Sequence, residues 1–207
     1  MSPNLKEEEI EVKFYIRHID QIKKKLETIG AVLEKPRVFE SNLRFDYPDG
    51  ILSANKQVLR LRRDTENTIT YKGPAQINQP VSVREEIEIE VDDFERAKHL
   101  LEALGYEVYM EYEKYRTTYA YQDVLIVVDE LPIGNFIEIE GPHVSAIHIM
   151  TELLGLHWEN RIPASYLYLF EQLKKHRPEL EGTHLSFAQL SSFQFSESDL
   201  ALDPGDD

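Results

Sequence analysis

The sequence predicts a β-rich α+β fold: an eight-stranded antiparallel sheet curled into a barrel, with helices packed on its outside. Three observations carry this expectation. Segments in which apolar and charged residues alternate with period two recur along the chain. At least three amphipathic helical segments lie between them, and each needs an apolar sheet face to cover. The charged strand faces hold both signs, with basic residues spaced i,i+2, where a plain solvated face would tolerate any polar residue.

Ile10, Val12, Phe14 and Ile16 alternate with Glu9, Glu11, Lys13 and Tyr15, which predicts a first strand over 7–16. The period then changes. Ile19, Ile22, Leu26 and Ile29 share one side of a helix stopped by Gly30. Val38 to Phe45 is expected as a strand, with Pro48, Asp49 and Gly50 turning the chain after it. Within 57–63, Leu59 and Leu61 oppose Arg60 and Arg62. Glu66 and Asn67 suggest a hairpin turn. Over 68–72, Ile69 and Tyr71 oppose Thr68, Thr70 and Lys72. Gly73 and Pro74 end that strand, and two prolines mark 74–81 as a mobile loop.

Ile87, Ile89 and Val91 then oppose Arg84, Glu86, Glu88 and Glu90 in a strand over 83–91. Phe94, Ala97, Leu101 and Leu104 form a buried helical stripe that stops at Gly105, with Asp92 or Asp93 as its cap. Strands follow at about 111–121, with Lys114, Arg116 and Thr118 on one parity, and at 123–129, ending at Asp129. Leu131 to Gly134 is a turn, and 136–140 is the last strand. Helices are expected at about 143–155 and 164–177. Three times a Glu-x-Glu strand runs into a helix that ends in glycine: Glu9 and Glu11 to Gly30, Glu86 and Glu88 to Gly105, Glu138 and Glu140 to Gly155. Such short, interrupted units read as a pseudo-symmetric sheet rather than a solenoid. Residues 7–177 are therefore expected as the domain. Residues 178–207 are expected as an acidic flexible tail, part of which Phe187, Leu190, Phe193 and Phe195 could dock.

Bulk properties narrow the function. The 207 residues, 42% of them apolar, suit one domain with a real core. The absence of cysteine excludes disulfides, thiolate nucleophiles and cysteine zinc sites. A net charge of −15 repels nucleic-acid backbone and anionic membrane, so neither is expected as a partner. No apolar run reaches the ~18–20 residues of a membrane span. Residues 1–6 lack the apolar stretch of a leader peptide, so a cytoplasmic protein is expected. The histidines have no metal spacing, as His143 and His148 stand at i,i+5 and His157, His176 and His184 are isolated. Tyr106, Tyr109, Tyr112, Tyr115 and Tyr119 read as strand and core residues, Trp158 as packing, and Lys23 to Lys25 as a helix's wet face.

The charged face decides the chemistry. Helices can cover only the apolar face of the sheet, which turns the charged face inward if the sheet closes. A closed barrel of about eight strands leaves room for side chains or one small ligand. Unpaired charge inside costs several kcal/mol per ion. Carboxylates gather there at Glu9, Glu11, Glu86, Glu88, Asp129, Glu138 and Glu140, and cations at Lys13, Arg60, Arg62, Lys72, Arg84, Lys114 and Arg116. Arg and Lys bind phosphate oxygens, and hard carboxylate oxygens bind Mg²⁺ or Mn²⁺. A polyphosphate with a divalent cation satisfies both sets. Parity sets aside Arg44, Arg63, Glu85 and Glu90 as off the face or near strand ends, and Glu7 and Glu8 as terminal solubilising charge.

The residues resemble the CYTH domain, the fold of the triphosphate tunnel metalloenzymes. The resemblance rests on the signature Glu9-Ile-Glu11-Val-Lys13, then Leu59-Arg-Leu-Arg62, Thr70-Tyr-Lys-Gly-Pro74, Arg84-Glu-Glu-Ile-Glu88, Glu113-Lys-Tyr-Arg116, Asp129-Glu-Leu131 and Gly134-Asn-Phe-Ile-Glu-Ile-Glu140, with Ser165-Tyr166 in the last helix. It implies a barrel open at both ends. It implies that Arg60, Arg62, Lys72, Arg84, Lys114 and Arg116, with Lys13, bind a triphosphate. Glu9, Glu11, Glu138 and Glu140 would hold Mg²⁺ or Mn²⁺, with Asp129, Glu86 and Glu88 as further candidates. Glu11, Lys13, Lys114 and Glu140 are the candidate catalytic set. Members of that family hydrolyse inorganic tripolyphosphate or thiamine triphosphate, or cyclise ATP. Residues 39–46 and 49–52 look closest to bacterial members labelled class IV adenylyl cyclases. A triphosphatase acting on tripolyphosphate or a nucleoside triphosphate is the leading expectation, an adenylyl cyclase or thiamine triphosphatase the alternative, and a non-catalytic polyphosphate sensor a third reading. A homodimer stays open.

Overall fold

The computed structural model describes residues 7–182 and 184–206; the N-terminal residues read for a leader lie outside them. Eight strands form the body: β1 (Glu7–Ile16), β2 (Val32–Asp46), β3 (Val58–Arg63), β4 (Asn67–Lys72), β5 (Ser82–Glu90), β6 (Glu107–Tyr121), β7 (Val124–Leu131) and β8 (Gly134–Glu140). They close in the order β1-β5-β4-β3-β2-β6-β7-β8, and every neighbouring pair is antiparallel. β1 makes the closure, pairing with β5 on one side and β8 on the other. No helix among the described residues is long and apolar enough to cross a membrane.

Period two sends alternate side chains to opposite faces of the ring. On β1, β7 and β8 the residues Val12, Phe14, Ile16, Ile126, Val128, Ile137 and Ile139 point outward into a core shared with Ile22 and Leu26 of α1 (Ile19–Ile29) and Ile147 and Met150 of α4 (Val144–Leu153). On β2 and β3, Leu43, Phe45, Leu59 and Leu61 pack outward against Ala97 and Leu101 of α3 (Phe94–Ala103). The opposite parity carries the charge and faces inward, so the inside-out polarity expected from the strand pattern is the observed one. Asp93 caps α3 by accepting from the Arg96 N–H, and Gly30 ends α1 in the left-handed region at φ 81°.

Strand boundaries differ most on β2 and β6. β2 begins at Val32 rather than Val38, carried past Pro36 by register breaks between Leu33 and Val38. β6, its long partner, begins at Glu107 rather than 111. A short helix, α2 (Ile51–Ala54), follows the Pro48–Gly50 turn. Asp46 holds it by accepting from the backbone N–H groups of Leu52 and Ser53.

One end of the barrel is covered. α5 (Tyr166–His176) packs Tyr166, Leu167, Leu169, Phe170 and Leu173 against the inward-facing Tyr15, Phe136, Leu131, Met110 and Tyr112. This differs from a tunnel open at both ends. Where a loose acidic tail was expected after residue 177, Leu180, Leu185, Leu190 and Leu200 join the same cluster. Leu185 adds backbone bonds to β6, with its N–H to Glu111 O at 3.2 Å and its carbonyl accepting from Glu113 N at 2.9 Å. The short helix α6 (Glu197–Leu200) follows, and then the chain crosses β1, where Gly205 N donates to Tyr15 O at 2.8 Å.

Candidate active site

The register assembles the inward charges. Across β1, Glu9 lies opposite Arg84 on β5, while Glu11 and Lys13 lie opposite Glu140 and Glu138 on β8. Arg60 and Arg62 face Thr70 and Thr68 on β4, and Lys72 faces Glu86. Glu40 faces Lys114, and Arg116 faces Asp129. Every candidate named from the sequence therefore lines one lumen, but they divide into three groups.

The first group joins β1, β4 and β5. Lys72 Nζ donates to Glu9 at 2.6 Å and lies 3.0 Å from Glu86. Arg84 bridges Glu9 at 3.2 Å and Glu11 at 3.1 Å. Glu140 belongs here but has no cation within ion-pair distance among the described residues. Burial, then the carboxylates of Glu9, Glu86 and Glu11, pushes its carboxyl up to about 7.

The second group is the most buried. Asp129, 0% exposed, accepts from Lys114 at 2.9 Å, from both Nε and Nη2 of Arg116 at 2.7 and 2.6 Å, and from the Tyr166 phenol at 2.9 Å. Arg116 also reaches Glu138 at 2.6 Å, and Lys13 lies 3.2 Å from Glu138. Burial opposes ionisation of Glu138, but Lys13, Arg116 and Lys114 outweigh it and hold its carboxyl well below the usual range. Glu40 behaves alike: burial is outweighed by Lys114, Arg116, Arg62 and Arg60, and its carboxyl falls to about 2.

In the third group Arg60 and Arg62 lie 3.5 and 3.1 Å from Glu88, and Thr70 donates to Glu88 at 2.7 Å. Glu88 is the most open of the candidate acids.

Four lining residues were missed or misplaced. Glu40, Asn42 and Arg44 alternate with the outward Leu43 and Phe45, so parity alone places them inside. The expectation that Arg44 lies off the face is overturned: it stands opposite Arg60, with its Nε buried. Tyr166 was noticed only as part of a motif, because nothing local in a helix reports which strand face it will meet.

Phosphate chemistry fits this lumen. Asn42 Nδ2 and the Nε atoms of Arg44 and Arg60 are buried without a hydrogen-bond partner, so these donors lack an acceptor, while Arg62 Nε lies 3.4 Å from the Asp64 carboxylate. A divalent cation fits by donor chemistry: Glu9, Glu11, Glu86 and Glu140 are hard oxygen donors, and the first three lie close enough to Glu140 to raise its carboxyl. In this arrangement Glu9, Glu11 and Glu86 are turned to Lys72 and Arg84, and no three acidic or histidine side chains among the described residues converge on one point.

Comparison with known proteins agrees with the architecture. The CYTH domain family model matches residues 7–146. A Methanocaldococcus jannaschii protein named "Putative adenylate cyclase MJ0240" is 28% identical over 172 residues, covering 78% of this chain and 97% of that protein. The PH1012 protein of Pyrococcus horikoshii superposes with a TM-score of 0.67 at 28% identity, over 77% of this chain and 98% of that one. HpAC1 from Hippeastrum, described as having a dominant triphosphatase activity, superposes with a TM-score of 0.62 at 18% identity, over 79% of this chain and 95% of its own. At that identity the last shows a shared fold.

Proposed function

The chain belongs to the CYTH domain family, and on that premise we propose that it is a divalent-metal-dependent triphosphatase whose substrate is inorganic tripolyphosphate or a nucleoside triphosphate. The observation that carries this reading is the set of buried donors without acceptors on β2 and β3, facing a crowd of carboxylates on β1, β5 and β8. A triphosphate supplies acceptor oxygens to the first set. A bound cation would sit among the second.

Lys13, Arg60, Arg62, Lys72, Arg84, Lys114 and Arg116 are the phosphate-binding groups of this proposal. Each now lies within ion-pair distance of a carboxylate, so its charge is compensated before an anion arrives. The arginine forks fix the oxygens bidentately, and the lysines neutralise as point charges. Asp129 keeps Lys114 and Arg116 aimed inward. Glu9, Glu11, Glu86 and Glu140, with Glu138, would hold Mg²⁺ or Mn²⁺. Such an ion would neutralise phosphate charge and lower the pKa of a bound water. Positioning and charge neutralisation are the main work in phosphoryl transfer, and this lumen is built of groups that do both.

A second reading is ATP cyclisation, favoured by the name of the relative that is 28% identical over 172 residues. Incubation with ATP or tripolyphosphate and Mg²⁺ or Mn²⁺, followed by product separation, distinguishes the two. Orthophosphate release supports hydrolysis. Cyclic AMP with pyrophosphate from ATP overturns it.

A further inference from the structure

Among the described residues, one lumen cation has no carboxylate within ion-pair distance. Arg44 stands directly opposite Arg60 across the β2–β3 ladder, and its guanidinium carbon lies 5.9 Å from the Tyr109 ring. Like charges facing each other across a ladder repel, so this pair costs stability unless an anion joins it. One lumen position away on the same strand is Asn42, which is 0% exposed with neither amide atom hydrogen-bonded to the protein. It stands opposite Arg62 on β3 and Tyr112 on β6.

We propose that Arg44 and Asn42, with Arg60, form an additional oxyanion subsite that receives the terminal phosphoryl group of the substrate. This rests on the triphosphate reading above and extends its list of binding residues. Two features select a terminal phosphoryl group. The unpartnered donors Asn42 Nδ2, Arg44 Nε and Arg60 Nε need a group with several acceptor oxygens, and a terminal phosphoryl group has three free ones where an internal one has two. Second, Met110, the β6 partner of Arg44, belongs to the cluster under α5, so the subsite lies toward the covered end of the barrel. A chain of phosphates anchored there runs back toward Glu9, Glu11 and Glu140, and any organic substituent lies on that side.

Calorimetric titration of the full-length protein with tripolyphosphate in metal-free buffer, where the metal-dependent reaction proposed above does not consume it, paired with thermal melts without anion, tests the subsite. Arg44→Gln is expected to weaken binding roughly tenfold to hundredfold, as for loss of a charge-assisted hydrogen bond. Its anion-free melting temperature should hold or rise, because an unpaired buried charge is gone. Arg44→Lys should bind between the two, and Asn42→Ser should lose affinity with Arg44 intact. Wild-type affinity in Arg44→Gln, or a lowered melting temperature with affinity unchanged, overturns the subsite and makes Arg44 structural. If the wild-type protein binds no tripolyphosphate, the triphosphate reading itself fails.

Discussion

The Tyr166 phenol donates to Asp129 Oδ2 at 2.9 Å while its ring lies 4.1 Å from Lys13 Nζ. One side chain from the covering helix thus touches both an acid and a base of the lumen. Tyr166→Phe keeps the ring and removes the hydrogen bond, and should cost about 1–3 kcal/mol because Asp129 is buried. Tyr166→Ala also opens a cavity and should cost about 3–5 kcal/mol. Urea denaturation of both variants measures the difference.

Asp129→Asn is expected to be more damaging than Tyr166→Phe. Lys114, 2% exposed, and Arg116 would lose the carboxylate they share. Removing one partner of a buried ion cluster costs about 3–5 kcal/mol. The same denaturation series checks the ranking, and equal midpoints for the two variants would contradict it.

Glu140 predicts a pH dependence for the metal-free protein. Burial and the carboxylates of Glu9, Glu86 and Glu11 raise its folded pKa from 4.5 to about 7. The folded state therefore holds this proton more tightly than the unfolded chain does. The resulting stabilisation is complete below pH 4.5 and is lost as pH rises through about 7. Glu140→Gln should flatten this part of the stability profile. Chelated protein melted between pH 4 and 8 gives the comparison; parallel profiles for wild type and variant would refute it.

Metal dependence should follow the same crowd of carboxylates. On the proposed function, Glu11→Gln is expected to raise the Mn²⁺ concentration for half-maximal tripolyphosphate hydrolysis by about 10–100-fold, with recovery at excess metal. An unchanged metal titration would remove Glu11 from the ligand set.

The C-terminal crossing of β1 makes a steric prediction. A Cβ on Gly205 would lie 2.9 Å from Cβ of Phe14, which is buried on the strand beneath. Gly205→Ala should cost about 1–3 kcal/mol by overpacking, and Gly182→Ala, whose Cβ meets nothing within 4 Å, tests backbone strain alone at its φ of 75°. Thermal melts separate the two effects.

What could be read from residues and what could not divides along physical lines. Alternation on β1, β3 and β8 predicted both the strands and the inward charge, because one face is buried under helices and the other lines the lumen; β5 alternates alike, although no helix covers its outer Ile87 and Ile89, which are 46% and 54% exposed. β2 was read short because Pro36 breaks the pattern, and the bulges that carry the ladder past it depend on β6. Arg44 was set aside on its position near a strand end, yet it shares the parity of Glu40 and Asn42. The packing of Leu180, Leu185, Leu190 and Leu200 follows no helical or strand period. Leu190, Phe193 and Phe195 were expected to be able to dock and do join that cluster, but the barrel end they cover is a tertiary feature that no local pattern announces.

The central place of β1 in the ring has a consequence for synthesis. The first strand made is hydrogen-bonded to β5 and to β8, whose last residue is Glu140, and is crossed by Gly205. At ribosomal speed, β1 waits on the order of ten seconds for its β8 partner. Until then its apolar outer residues and free edges are open to chaperones or to neighbouring nascent chains. Slowing translation across residues 16–134 should therefore raise the yield lost to aggregation more than slowing it after residue 140.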